Sequence, residues 1–308
     1  SFGLIITEGT APSLIGKAYP GIPGIYQKSH VDGWSKITTA VRQAGGVIFI
    51  QLMHSGRISH SRITGLTPMA PSAVQPAGTI FTGNGDDLFL TPKEMSLTDI
   101  EEAIKSFRIA ALRAIDSGAN GVEIHSANGY LLHQFLSSNV NLRKDKFGGS
   151  PEKRTNFVVE VVKSVIDAIG PGRTGIRISP SGTFNDISES ETEDTYGPLL
   201  KHLEKLNIAY LHVADQPGFD SISFARSNFK GILIANSGYH DKNKIETAIK
   251  LIDEDKADLF SFGRLALSNP DLPRRIREKA EMNPIDSKTF YSEAPLVILI
   301  ILRCKFML

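Results

Sequence analysis

Seven short runs rich in β-branched and other apolar residues, six of them ending in a polar residue, a glycine or a proline, have a spacing that constrains this chain more than any other feature. They are "GLIITEG" (3–9), "VIFIQLMH" (47–54), "GVEIHSA" (121–127), "TGIRISP" (174–180), "YLHVAD" (210–215), "GILIANS" (231–237) and "LFSFGR" (259–264). A strand that is almost continuously apolar is covered on both faces, as in a parallel sheet. The segments between them have helical period and start signals. Thr98 with Glu101 reads as a capping box before Ile104, Phe107, Ala111 and Ile115; Ser150 and Pro151 open a helix that Gly170 closes. Asn269 with Pro270 repeats that start, and "SESETED" (188–194) reads as an acidic helix start. Strand and helix alternate at crossover spacing, which makes the class α/β.

The strand ends suggest closure. Glu8 and Gly9, Gln51, His125, Arg177, Asp215, Ser237, and Gly263 with Arg264 form a polar set at the mouth of an apolar cylinder. A TIM (β/α)8 barrel keeps its chemistry at that end and runs to ~250 residues. We therefore expect one barrel domain over 1–291, with seven core strands visible and the eighth, the first in the barrel, preceding Ser1. An insertion at about 58–95, with Pro68, Pro71, Pro76 and "GNGDD", reads as an extended loop with a hairpin over the mouth. The apolar tail at 292–308 is shorter than the ~20 residues that span a bilayer, so it reads as an atypical extension and not an anchor.

Charge and cysteine content exclude several classes. Lys+Arg 34 against Asp+Glu 33 gives a net charge of +1, a poor match to nucleic acid or an anionic membrane. Cys304 is the single cysteine, which rules out a disulfide framework, a Cys-rich zinc site and a cysteine-ligated iron–sulfur cluster, and points to a reducing, cytoplasmic location. The N-terminus does not read as a signal peptide. GxGxxG, GxxxxGK, GxSxG and HExxH are all missing, so any redox cofactor must be held by barrel loops.

Three groups of residues carry candidate chemistry. Ser237 with Gly238 and Gly263 with Arg264 follow the last two strands, where barrels commonly hold a phosphate; ordinary tight turns are the plain alternative. Gln51 could meet a polar ring edge and Arg177 could stabilise negative charge on it, or the two could satisfy a loop and a carboxylate. His125, Asn128 and Tyr130 offer two donors for one oxygen and a phenol that can deliver a proton. His54 and Arg57 could reach the mouth or pin a loop, His212 reads as a layer residue, and "RKDK" (143–146) and "EKR" (152–154) read as solvated surface.

This constellation resembles the Old Yellow Enzyme family of flavin-dependent ene reductases, in the branch of N-ethylmaleimide and oxophytodienoate reductases. The matching stretches are "IITEGT", "GIPGIY", "QLMHSGRISH", "GVEIHSANGYLLHQFL", "FGGSPEKR", "GIRISPSGTF", "AYLHV" and "FGRLALSNPDL". The resemblance implies tightly bound, non-covalent FMN, reduced by NADPH or NADH, with an electrophilic alkene then reduced over the same face. It implies that His125 and Asn128 bind the activating oxygen, that Tyr130 is the proton donor, and that Gln51 and Arg177 contact the flavin ring, with Gly9 close to it. Ser237, Gly238, Gly263 and Arg264 would hold the FMN phosphate, and no metal is implied. Met53 departs from the family's usual aromatic residue, and the tail departs from its glycine-rich ending. Two other readings are a flavin-free, phosphate-binding aldolase or isomerase barrel and a truncated, flavin-poor product.

Overall fold

The computed structural model describes residues 2–286; the tail, and with it the domain limit at 291, lies outside the described residues. In chain order the strands begin with β1 (Ile5–Ile6) and β2 (Ile48–Leu52), followed by four short ones in the insertion: β3 (Met69–Ala70), β4 (Thr79–Phe81), β5 (Asp86–Leu88) and β6 (Lys93–Glu94). Then come β7 (Gly121–Ser126), β8 (Thr174–Ile178), β9 (Tyr210–Ala214), β10 (Leu233–Asn236) and β11 (Leu259–Phe260). All seven expected core strands are present, in one parallel sheet of order β1-β2-β7-β8-β9-β10-β11. The sheet is the curled wall of a barrel with one seam, since β1 and β11 do not pair with each other among the described residues.

Alternation along each strand makes two cores. Ile50, Leu52, Val122, Ile124, Ile176, Ile178, Leu211 and Val213 pack outward with helix residues such as Phe107, Phe157, Val162 and Leu199. Each such side chain is worth roughly 1.5–3 kcal/mol relative to exposure. The alternate residues Phe49, Tyr210 and Ile234 form a separate cluster with Leu4 and Ile6 in the interior. Large and small residues interlock there: a Cβ on Gly121 would lie 2.5 Å from the Phe49 ring, and one on Gly175 would lie 2.4 Å from the Tyr210 ring.

The insertion contains the expected hairpin, β4 antiparallel to β5, and β3 pairs with β6 at its base. Ile80 and Phe89 from this segment pack with Met53, Ile58 and Tyr130, so it covers the mouth. Arg57 is fully buried and donates to the carbonyls of Val74, Asn185 and Asp186, while His54 accepts from Gly56 N–H at 3.1 Å; both pin loops.

Several local expectations shift. The helix Leu97–Asp116 is capped by Ser96 with Asp99, two residues before the expected Thr98 and Glu101, which already lie inside the helix. Ser150 does cap Pro151–Arg154, and Gly170 at φ 88 closes the following helix, Asn156–Ile169. The helix Leu272–Glu278 starts after Asp271, not at Asn269, whose amide instead donates to the Leu265 carbonyl and accepts from Asn283 N–H. Glu193 and Asp194 lie in the first turn of Thr192–Lys205 as expected. Arg143 and Arg154 are buried, contrary to the solvated reading. Arg143 donates to the Pro71 and Met95 carbonyls, and Arg154 to the Leu136 carbonyl, so each guanidinium satisfies buried backbone oxygens. Among the described residues no helix is long and apolar enough to cross a membrane.

Candidate active site

The end of β7 supplies the densest group. Strand alternation turns Glu123 and His125 to the interior while Val122 and Ile124 face the helices. The chain then turns through Asn128 at φ 56 and Gly129 at φ 76 into the helix Leu131–Leu136. That turn is tied on every side: Asn128 N–H donates to Ser179 Oγ at 2.9 Å, Gly129 N–H to His133 Nδ1 at 2.9 Å, and Asn185 Nδ2 to the Asn128 carbonyl at 2.8 Å. His133 in turn meets Glu189 at 3.1 Å, a buried pair that also takes the Tyr196 hydroxyl.

His125 and Tyr130 come together across this turn, with ring centroids 5.4 Å apart. Both are buried, and Tyr130 lies in the apolar cluster under the insertion. Burial, then the Arg177 cation, lowers the His125 pKa to about 3, so its imidazole is neutral. Among the described residues its Nδ1 is buried without a partner. Burial, then the neighbouring Tyr19, raises the Tyr130 phenol well above its ordinary value.

Gln51 and Arg177 reach the same interior. Register places Gln51 beside Glu123, and Arg177 between His125 and His212. Gln51 Nε2 donates to Glu123 Oε1 at 2.7 Å, and Arg177 Nε is buried with no partner among the described residues. Burial alone would raise the Glu123 pKa, but His212, Arg177 and Gln51 bring it down to about 2. His212, expected as a layer residue, contacts Glu123 Oε2 at 2.9 Å and Ser261 Oγ at 2.8 Å. Glu123 went unnoticed as a site residue, although its place two positions before His125 puts it on the same face.

The last two loops form the other end. Gly238, at φ 70, donates its N–H to Asn236 Oδ1 at 3.2 Å, and a Cβ there would lie 2.5 Å from the Asp215 carbonyl. Ser237 is buried, and Lys244 reaches both its hydroxyl at 3.4 Å and the Gly238 carbonyl. Lys244 is a cation that sequence reading passed over, since nothing in "KNK" separates it from surface lysines. Gly263 heads the helix Arg264–Ser268, and the Arg264 guanidinium lies 4.5 Å over the Tyr239 ring, joining the two loops. Gly9 is needed by Met53, whose Sδ would lie 2.5 Å from an added Cβ.

The donor set fits FMN. Two partnerless buried nitrogens, His125 Nδ1 and Arg177 Nε, stand with Gln51 at one side of the mouth. The Ser237 hydroxyl, the Gly238 backbone, Lys244 and Arg264 offer phosphate-binding chemistry at the other.

Comparison with known proteins agrees with this chemistry. The model of the NADH:flavin oxidoreductase / NADH oxidase family matches residues 1–283. The flavin oxidoreductase hxnT of Emericella nidulans is 38% identical, with 95% of this chain and 81% of the relative covered. The putative 12-oxophytodienoate reductase 5 of Oryza sativa subsp. japonica is 38% identical, covering 96% of this chain and 80% of the relative. Among solved structures, the old yellow enzyme homologue from Zymomonas mobilis superposes with a TM-score of 0.93 at 36% identity, covering 97% of this chain and 86% of that one.

Proposed function

The chain belongs to the NADH:flavin oxidoreductase / NADH oxidase family, that of the old yellow enzymes, as an NAD(P)H-dependent, FMN-using oxidoreductase, and from that premise we propose that it reduces electrophilic alkenes. The substrates are α,β-unsaturated carbonyl or nitro compounds. The observation that carries this reading is the partnerless Nδ1 of the neutral, buried His125 beside the Tyr130 ring.

Gln51 and Arg177 would hold the ring of FMN, with Gly9 near it, and Ser237, Gly238, Gly263 and Arg264 its phosphate. When bound, FMN supplies the two-electron transfer from NAD(P)H to the β-carbon of the alkene. His125 and the Asn128 amide donate to the substrate oxygen and draw electron density from the double bond. A neutral imidazole suits this role, because it donates a hydrogen bond without presenting a full charge to the apolar site. Tyr130 gives its phenolic proton to the α-carbon and recovers one from solvent. Burial keeps that phenol protonated at neutral pH, so the acid is always loaded. The insertion, through Ile80 and Phe89, keeps water from the reacting face. The single cysteine, Cys304, supports a cytoplasmic location.

The test follows flavin absorbance in two half-reactions. NADPH should bleach the FMN-loaded chain, and 2-cyclohexenone should restore the colour. Tyr130→Phe should bleach as fast as the parent and reoxidise about 100-fold or more slowly. An unchanged oxidative half-reaction would remove Tyr130 from the proton-donor role, and a chain that NADPH cannot bleach would end the redox reading.

A further inference from the structure

A chain of hydrogen bonds crosses the barrel interior beneath the mouth, and its direction is fixed at both ends. It begins at a backbone N–H, which can only donate: Gly238 N–H to Asn236 Oδ1 at 3.2 Å. With its oxygen so engaged, the Asn236 amide directs Nδ2 to Ser261, at 3.0 Å from both Oγ and the carbonyl. Ser261 Oγ accepts from Asn236 and lies 2.8 Å from His212 Nε2. At the other end the Glu123 carboxylate can only accept, so the imidazole carries its proton on Nδ1 and donates to Glu123 Oε2 at 2.9 Å, which leaves Nε2 to accept the Ser261 hydrogen. The other oxygen, Glu123 Oε1, takes Gln51 Nε2 at 2.7 Å. A carboxylate can only accept, so the chain ends there, and each amide along it has one permitted orientation.

We propose that Glu123, His212, Ser261 and Asn236 form a positioning network that sets the Gln51 amide and the Gly238 loop in one geometry, holding the two ends of the FMN site in register. The proposal rests on the reading above that Gln51 meets the flavin ring and Gly238 its phosphate. None of the four is placed against substrate or flavin; they act through Gln51 and Gly238. The network is buried at its centre, where Glu123 is fully inaccessible and His212 is 2% exposed, so water cannot readily replace a lost partner. Two further features agree. Glu123 stays ionised, with a pKa lowered to about 2, as an acceptor-only end requires. Burial, with Arg177 adding to it and Glu123 opposing, lowers the His212 pKa and keeps the imidazole neutral, as a ring that donates at one nitrogen and accepts at the other must be. The network also sets charge: Glu123 is an anion close to Arg177, so its removal leaves that cation less compensated.

The experiment uses the full chain and compares the parent, Glu123→Gln and Ser261→Ala, each checked for folding by circular dichroism. Three quantities are read: FMN affinity by fluorescence quenching, the midpoint potential of the bound flavin, and the His212 tautomer by 15N NMR of the flavin-free protein, assigned through His212→Gln. The parent should show the Nδ1–H tautomer. Glu123→Gln should weaken FMN about tenfold and shift the potential upward, because an anion beside Arg177 is gone. Ser261→Ala should weaken FMN severalfold with a smaller shift in potential, and leave His212 in the Nδ1–H tautomer, which the Glu123 carboxylate alone enforces. If Glu123→Gln does not fold, Ser261→Ala decides alone. A parent His212 protonated at Nε2 overturns the network, as does a folded Ser261→Ala with parental FMN affinity. A parent that binds FMN while Glu123→Gln matches its affinity and potential overturns the inference and leaves the functional reading standing. A parent that binds no FMN overturns that reading, and the inference falls with it.

Discussion

Protonating either of two buried histidines would cost this fold stability. Burial lowers His54 from the usual 6.5 to about 4, and burial with Arg177 lowers His125 to about 3. Between those values and 6.5 the unfolded chain binds protons that the folded chain refuses, so stability falls as pH drops through that window. At pH 5 each histidine should cost roughly 2 kcal/mol relative to pH 7.5. Glu123 adds a lower window: with its pKa lowered from 4.5 to about 2, its contribution is complete above 4.5 and is lost as pH falls toward 2. Urea midpoints measured at pH 7.5 and pH 5 check this; equal stabilities would show that these imidazoles take up protons in the folded chain. The same residues show what sequence could and could not display. His125, Asn128 and Tyr130 lie within six positions and could be read together. Glu123, Ser261 and Gln51 meet only across strands, so no local pattern joins them. Arg143 and Arg154 resembled surface charge because the carbonyls they satisfy, those of Pro71, Met95 and Leu136, come from other parts of the chain.

At the scale of elements, strands were easier to locate than helix starts. A parallel strand covered on both faces must be apolar throughout, so its identity is written in consecutive residues. A helix start needs only one good cap, and "SLTDIEE" offers two in different registers. Ser96 prevails, its hydroxyl and backbone N–H exchanging hydrogen bonds with Asp99. The turn between β7 and the helix Leu131–Leu136 carries a sharper constraint. Gly129 sits at φ 76, and an added Cβ would lie 2.4 Å from the Phe184 carbonyl and 2.6 Å from Asn185 Cβ. Gly129→Ala should therefore cost about 1–3 kcal/mol and push the turn away from the 184–187 loop. Because that loop also holds the Asn128 carbonyl through Asn185, the expected signature is slow flavin reoxidation by 2-cyclohexenone with FMN still bound. Thermal unfolding and half-reaction kinetics measure the two effects, and a variant normal in both would mean that the loop yields without moving Asn128.

Over the whole molecule, the order of strands in space repeats their order in sequence, which is why the barrel class could be read from alternation alone. Alternation does not convey how firmly each strand is held. β7 and β8 are paired on both sides and covered by the helices Leu97–Asp116 and Asn156–Ile169. Among the described residues β1 and β11 are the two-residue edges of the sheet, with Ile5 38% and Leu259 47% exposed. An edge strand has one ladder where an inner strand has two, and it opens by local motions that leave the rest folded. Amide hydrogen exchange should therefore be graded around the sheet. The amides of β7 and β8 should exchange only through global unfolding, and those of β1 and β11 at least about 100-fold faster, a gap of roughly 3 kcal/mol. Uniform protection from β1 to β11 would mean that something closes the seam in solution. The gradient matters for the site, because Gln51 hangs from β2, next to one edge, and Gly263 follows β11 at the other. Loosening at the seam reaches the flavin ring and its phosphate before it reaches His125 and Tyr130, so FMN binding should fail at a lower denaturant concentration than the β7 turn unfolds.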